Sequence, residues 1–505
     1  MSQGRKEPAA PTLFFLGEDL YGHIPRDHFY VRLAALLDLA FVRELTAPLY
    51  APRLGRPSLD PVVFFKSLLI GFFENLVYDT ELEYRLADSL TLRKFLGYSL
   101  DERTPDESTL RKTRQKMPEE VFHQVFERVL DQCQAAGLLQ GRAVGTDSTQ
   151  IDANASADSL RHKTLGCTYR DYVLALRRQD QPEATPAEAK AADKRRGTGK
   201  VSNEVWESAT DPEAQMIVHS DGHAHLSYRV DTTVDLETGV IVAAGAELST
   251  VSDQADFLGR VDEVEAGLAE RGLTVVAVIA DKGHHSGENL AGLAERGLVS
   301  LLSSPRTPRG VPGFQREDFT YDAERDVLVC PAGVSLLRRQ TREGTARQYH
   351  ARGSDCQGCP HFGVCTASKK GRSVSIPVHE ELIRANRERA RDPELRPLLQ
   401  IRRQRGEGPF GYFKQFGGLR RFAGRGLSYA TKKTLIAGAG WNLLRLLGAA
   451  SFGGNGGPWT LLGRVQRVAE AGFWRPGRRL GAANGPAMRW TVRPGLWPKL
   501  KFFLA

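Results

Sequence analysis

Long uninterrupted apolar runs are absent from this sequence. The most apolar stretch, residues 59–78, is broken by Asp60, Lys66, Glu74 and Asn75, which a bilayer-spanning helix tolerates poorly. The next, residues 434–450, holds Asn442 and Arg445. Both read as core helices, and no membrane partner is expected. The opening residues, Met-Ser-Gln-Gly-Arg-Lys-Glu-Pro, lead into no apolar region of the secretory kind. Cysteine is scarce, 6 in 505 residues, and a cytoplasmic setting would keep those thiols reduced. Extreme composition is missing too. With 41% hydrophobic and 26% charged residues, the chain reads as soluble and globular, long enough for two or three cored domains.

Charge is present but uneven. The net charge is +9. Residues 369–433 hold 17 Lys/Arg against 6 Asp/Glu, and residues 451–505 hold 9 against 1. Those two segments carry +19 and leave −10 on the remainder. Basicity concentrated in this way marks a surface for nucleic acid, with anionic lipid the weaker choice.

Taken in order, residues 1–25 read as a flexible arm. Residues 26–139 are patterned as helices, with Phe29, Leu33, Leu36, Leu37, Ala40 and Phe41 at helical spacing. Pro61 after Asp60 marks one helix start. Thr104-Pro105-Asp106-Glu107 offers a capping Thr, Pro at the first helical position and Glu three after the cap. Pro118-Glu119-Glu120 opens another helix with acids in its first turn. This domain reads either as a helix-turn-helix DNA reader exposing Arg111, Lys112, Arg114 and Lys116, or as a dimerisation and support domain.

At Arg142 the pattern changes. Residues 142–151 read as a strand. Residues 177–200 are polar and Ala-rich, as in an exposed insertion without a core. Two strands, 226–234 and 240–248, flank the turn Asp235-Leu236-Glu237-Thr238-Gly239. A helix over 254–271 precedes residues 274–280, continuously apolar like a buried central strand. A helix over 286–296 and a strand over 298–303 complete residues 140–304 as an α/β unit, a mixed sheet covered by helices. Residues 305–378 break the rhythm with short β-like pieces and four of the six Cys. Helix returns over 379–450. Residues 451–505 form a basic, Gly-rich tail whose Trp459, Trp474, Trp490 and Trp497 either stack on bases or belong to a mobile end.

Three carboxylates stand out. Glu407 lies among cations, with Arg403 four positions before it and Lys414 seven after, on one helical face. An acid held among cations suits a metal ion that must meet a phosphate; it also describes a solvated basic helix with one salt-bridging Glu. Asp147, in Gly145-Thr146-Asp147-Ser148-Thr149, is read at the end of the first strand. Asp281 directly follows the apolar run and opens Asp281-Lys282-Gly283-His284-His285. Either Asp alone is also a common cap or turn residue. Charge at the mouth of an apolar strand nonetheless calls for a partner, and sites in helix-covered sheets gather at strand ends.

These blocks resemble the DDE transposases of bacterial insertion sequences. Residues from Leu59-Asp60-Pro61 through Asp106-Glu107-Ser108-Thr109-Leu110-Arg111 look like the helical N-terminal domain of one branch. Thr146-Asp147-Ser148-Thr149 to Ala153-Asn154-Ala155-Ser156 looks like its first catalytic block, and Ala280-Asp281-Lys282-Gly283 its second. Arg403, Glu407 and Lys414 fit the last three members of that branch's Tyr-Arg-Glu-Lys signature. Gln400 takes the Tyr position, and His284 stands where the second block usually has Tyr. The resemblance implies an RNase H-like catalytic fold. It implies two Mg²⁺ ions, or Mn²⁺, about 3.5–4 Å apart, held by Asp147, Asp281 and Glu407. It implies DNA as partner: the element's terminal repeats, cleaved and then joined to target DNA. Arg403 and Lys414 would hold phosphates, with Arg111 and Arg114 as further DNA contacts. A homodimer in the synaptic complex and a bacterial, nucleoid-associated location follow from the same likeness.

Cys330, Cys356, Cys359 and Cys365 fall within 36 residues. One Cys-x-x-Cys with two outlying Cys, and His361 to spare, reads as structural Zn²⁺ or as reduced core thiols. Two other readings of the chain remain beside a transposing enzyme: a catalytically inactive, transposase-derived DNA-binding protein, and a structural zinc protein with an RNA partner. The three carboxylate blocks speak against the last.

Overall fold

The computed structural model describes residues 20–51, 57–195, 201–219, 222–304, 314–322, 324–339 and 346–451. Most of the expected N-terminal arm, and the tail with its four Trp, lie outside the described residues. Two compact units emerge: residues up to Ser304 with those from Arg384 on, and residues 314–383.

In the first unit, helices form where caps and apolar spacing coincide. Asp60 accepts a hydrogen bond from the Val62 amide at 2.8 Å, and Pro61 fits the first turn of Pro61–Phe73. Arg43 closes on the Asp60 carboxylate at 2.8 Å, pairing an acid that would otherwise be buried alone. The next expected start is displaced. Asp106, not Thr104, caps Glu107–Lys116, accepting from the Thr109 amide at 2.7 Å. Both residues have capping side chains, and Asp106 lies where the chain turns helical. Glu119–Ala135 follows Pro118 and buries Phe122, Val125, Phe126 and Val129.

The central sheet begins with Ala143–Asp152. On one side it pairs antiparallel with Ala224–Asp235, which pairs antiparallel with Ile241–Leu248. On the other it pairs parallel with Ala277–Ala280, which pairs parallel with Val299–Leu302. Three antiparallel strands continued by two parallel ones, in the order third, second, first, fourth, fifth, is the RNase H-like arrangement. Between the second and third strands Gly239 turns the chain at φ +75°, a conformation open to Gly. The Asp235 carboxylate braces that turn through the amides of Glu237, Gln140 and Gly141. Gln215–Val218 adds a short strand on Ala224–Asp235.

Residues 177–200 were expected to lack a core. Helices Tyr169–Asp180 and Pro186–Arg195 instead form there. Tyr169, Tyr172 and His162 pack edge-on around buried Trp206. A few aromatics suffice to anchor a pair of otherwise polar helices.

The closing helix, Leu427–Ser451, binds the N-terminal helices to the sheet. Its Asn442 amide pairs with both backbone groups of Ile241 at 2.8 Å. Gly440 leaves room for the Phe72 ring, which would lie 2.3 Å from any Cβ there. The N-terminal helices therefore share a core with the sheet.

The second unit is a five-stranded antiparallel meander, from Thr320–Asp322 through Val327–Val329, Ser335–Arg339 and Ala346–His350 to Ser373–Pro377. Its core is Phe319, Leu328, Leu336, Tyr349, Ala351 and Val374, with Cys330, Cys356 and Cys365 packed against it. This is the expected small β insertion carrying the Cys cluster.

Candidate active site

Asp147 does not end its strand, as expected, because Ala143–Asp152 runs five residues further. It stands where the parallel pairing ends: Thr146 lies opposite Ala280, so Asp147 and Asp281 emerge side by side. Asp281 caps the turn after its strand, accepting from the Gly283 amide at 2.8 Å and lying 2.9 Å from His284 Nδ1. A Cβ on Gly283 would fall 2.8 Å from Asp253 Oδ2 and 3.0 Å from Asp281 Oδ1, so a side chain there would crowd two carboxylates.

Glu407 projects from the helix Arg396–Phe416, which crosses this edge. The approach is close: a Cβ on Gly406 would lie 3.8 Å from the Asp147 side chain, and one on Gly145 would meet Arg402 Cγ of this helix at 3.2 Å. Arg402, which sequence reasoning missed, joins the acids. Its Nη1 lies 3.1 Å from Asp147 Oδ2 and its Nη2 lies 3.4 Å from Glu407 Oε1. The Arg402 side chain is 7% exposed and Glu407 55%, so a buried cation reaches out toward a half-exposed acid. Arg402 Nη1 makes an ion pair with Asp147 without hydrogen-bond geometry. Its only mark in the sequence was being one more basic residue beside the signature.

Burial pushes the Asp147 carboxyl above its ordinary range, with Asp281 and Glu407 adding repulsion and Arg402 and the Ser148 amide opposing. Asp281 is partly buried, which alone would raise it. The hydrogen bond and charge of His284, with the Gly283 amide and Arg402, instead hold it below the usual carboxylate value. His284 is itself buried and packs on Phe257. The residue at the usual Tyr position is therefore an orienting partner for Asp281.

Lys414 donates to Thr149 Oγ1 at 2.7 Å, two residues along the strand face from Asp147. Burial lowers its ammonium, with Asp152 opposing. Arg403 is exposed on the same helix, as is Gln400. Behind the site, Asp253 accepts from Ser148 Oγ at 2.9 Å and is tied to the buried Arg229.

Other expected contacts sit elsewhere. Arg114 is bidentate to Asp79 at 2.7 Å and lies over the Tyr429 ring. With its side chain 12% exposed, it fastens its helix to the domain. Lys116 covers the Tyr50 ring at 3.6 Å. Only Arg114 is withdrawn from the basic face of that helix; Arg111, Lys112 and Lys116 stay exposed, with Arg111 paired to Glu107 at 2.8 Å.

Cys330, Cys356, Cys359, Cys365 and His361 line one pocket in the second unit. Cys330 Sγ accepts from the Val334 amide and Cys356 Sγ from the Arg372 amide. Yet no three of these sulfurs lie within 4.8 Å of one another among the described residues. Sulfurs sharing a zinc ion at about 2.3 Å would stand closer than that. Cys330, Cys356 and Cys365 pack against the core of this unit, and burial raises the Cys365 thiol.

Residues 18–116 match the model of a family described as "Transposase domain (DUF772)". Residues 329–447, which include Glu407, match the "Transposase DDE domain". The chain carries two transposase family domains, the second a DDE domain. A comparison with curated proteins found no match. Among solved structures, the chain is similar to one described as the cryo-EM structure of piggyBac transposase synaptic complex with hairpin DNA. The identity is 9% and the TM-score 0.32, over 87% of this chain and 77% of that one. Among the described residues no helix is long and apolar enough to cross a membrane.

Proposed function

We propose that the chain cleaves DNA strands at the ends of an insertion sequence and joins them to target DNA, using Asp147, Asp281 and Glu407 as ligands for two divalent metal ions. The observation that carries this reading is the meeting of Asp147, just past the end of the parallel pairing, and Asp281 with a helix Glu around the Arg402 guanidinium. The donor set fits Mg²⁺: three carboxylates, all oxygen, beside an Arg that stands in for a cation between two of them. When bound, Mg²⁺ at this site supplies activation of the attacking oxygen and charge neutralisation at the leaving oxygen.

The protein's own groups have separate tasks. Asp281 stays ionised because His284 and the Gly283 amide support its charge. Asp147, raised by burial, is kept usable by Arg402. Arg402 restrains the acids from repelling one another. Lys414, beside Thr149 on the Asp147 face, and the exposed Arg403 hold phosphates flanking the cut. DNA is thus the partner, with a synaptic homodimer as the assembly.

The test is Asp147→Asn. It should abolish Mg²⁺-dependent cleavage of DNA carrying the element's ends while leaving binding intact, since the acid serves the metal and not the DNA. Cleavage at the parental rate would overturn the assignment.

A further inference from the structure

A second group of ligating side chains lies away from the three carboxylates. Asp152 ends the first strand, five residues after Asp147, which is about 16 Å along an extended chain and on the opposite face. His219 and His225 flank the turn that joins Gln215–Val218 to Ala224–Asp235. One ligand atom from each of Asp152, His219 and His225 lies within 4.8 Å of the others. His225 Nδ1 is 3.3 Å from Asp152 Oδ1, and His219 Nδ1 is 4.0 Å from the same atom. Two donors sharing a tetrahedral ion at about 2.1 Å stand roughly 3.4 Å apart, so small side-chain shifts would complete the set.

We propose that Asp152, His219 and His225 form a second metal site, for a transition-metal dication of the Zn²⁺ class and not for Mg²⁺. Imidazole suits Zn²⁺, Co²⁺ and Ni²⁺, whereas Mg²⁺ wants oxygen. The outer contacts fit ligation. His219 Nε2 lies 3.3 Å from Ser227 Oγ, which reaches Ser249 Oγ at 3.0 Å, and Ser249 donates to Gln150 at 2.8 Å. A partner on Nε2 fixes the tautomer that presents Nδ1 to a metal. The two imidazoles stack at 4.4 Å between centroids, 16° from parallel. Protonating both would place like charges face to face, whereas a metal takes both rings neutral and meets the Asp152 charge. Side-chain exposures of 18%, 31% and 42% leave room for water at the remaining coordination position. The site would staple the hairpin to the end of the first strand, where Asp152 O already accepts from the Phe422 amide at 2.9 Å.

The test uses the full chain, reduced, with Co²⁺ as the probe. The parent should bind one more equivalent than a His219→Gln/His225→Gln double variant. The parent-minus-variant spectrum should show a visible d–d band without thiolate charge transfer, which separates this site from the Cys pocket. Asp152→Asn, which keeps the side chain's shape, should weaken the same band at least tenfold in affinity, and covers the chance that the double variant misfolds. Excess Mg²⁺ should not displace that equivalent. Equal Co²⁺ stoichiometry in parent and double variant, unchanged Co²⁺ affinity in Asp152→Asn, or a difference spectrum carrying only thiolate bands would overturn the proposal. Neither readout depends on DNA cleavage.

Discussion

Arg402 is the residue on which the acid cluster turns. It is buried, and it pairs with one buried and one half-exposed carboxylate. Removing a single partner from a buried pair leaves the other charge uncompensated, at a cost of about 3–5 kcal/mol. Arg402→Gln should therefore lower stability in EDTA, toward the low end of that range because Glu407 reaches solvent. If metal binds where the guanidinium now neutralises charge, Mg²⁺ should restore more stability to the variant than to the parent. Thermal melts with and without Mg²⁺ give the comparison. A variant as stable as the parent in EDTA would show that the acids need no cation. Arg402 was hidden in the sequence because the motif spacing points to its neighbour, Arg403. The helix points Arg402 inward and leaves Arg403 exposed, and that rotation depends on how the helix docks at Gly145.

The elements that carry the site were legible where apolar runs and turn chemistry agreed. Residues 274–280 were read as a buried strand, and Ala277–Ala280 is one, buried at every position. The hairpin at Gly239 was readable from its turn residues. Gln215–Val218 was not: it has no fully buried residue and owes its form to pairing on Ala224–Asp235. The paired helices after Thr168 were missed because their anchor, Trp206, lies beyond them in sequence. Two glycines make opposite predictions. Gly408, inside the Arg396–Phe416 helix, has nothing within 4 Å of a would-be Cβ. Gly408→Ala should stabilise by about 0.5–1 kcal/mol. Gly440→Ala drives a methyl into Phe72 and should destabilise by about 1–3 kcal/mol. Denaturant midpoints decide both, and equal shifts would refute the packing account of the closing helix.

The hairpin also carries a pH dependence. Burial, helped by Asp235, raises Glu237 to about 7, against opposition from Arg142 and Arg405. The folded state thus holds a proton that the unfolded chain has already released above its ordinary value of 4.5. The stabilisation is fully present below that value and is lost as pH rises toward about 7. Glu237→Gln should flatten stability over that window and be the more stable protein at its upper end. A parallel pH profile for parent and variant would show that Glu237 does not titrate in this way.

At the scale of the whole molecule, the uneven charge separates holding DNA from cutting it. Residues 369–433 concentrate the positive charge, and the helix that supplies Glu407 also supplies Arg403 and Lys414. Lys414 uses one donor on Thr149, and an ammonium has three, so it can meet a phosphate without leaving the strand. Each phosphate contact contributes about 0.9 to the slope of log affinity against log salt. Lys414→Ala should weaken binding to the element's ends and flatten that slope by roughly one unit, with metal binding unchanged. Glu407→Gln should keep affinity and slope and lose cleavage. The pair is sharper than either change alone, because a folding defect would damage both properties in both proteins. If Lys414→Ala leaves the salt slope untouched while Glu407→Gln still cuts, the Arg396–Phe416 helix is a solvated basic helix whose one acid answers only Arg402.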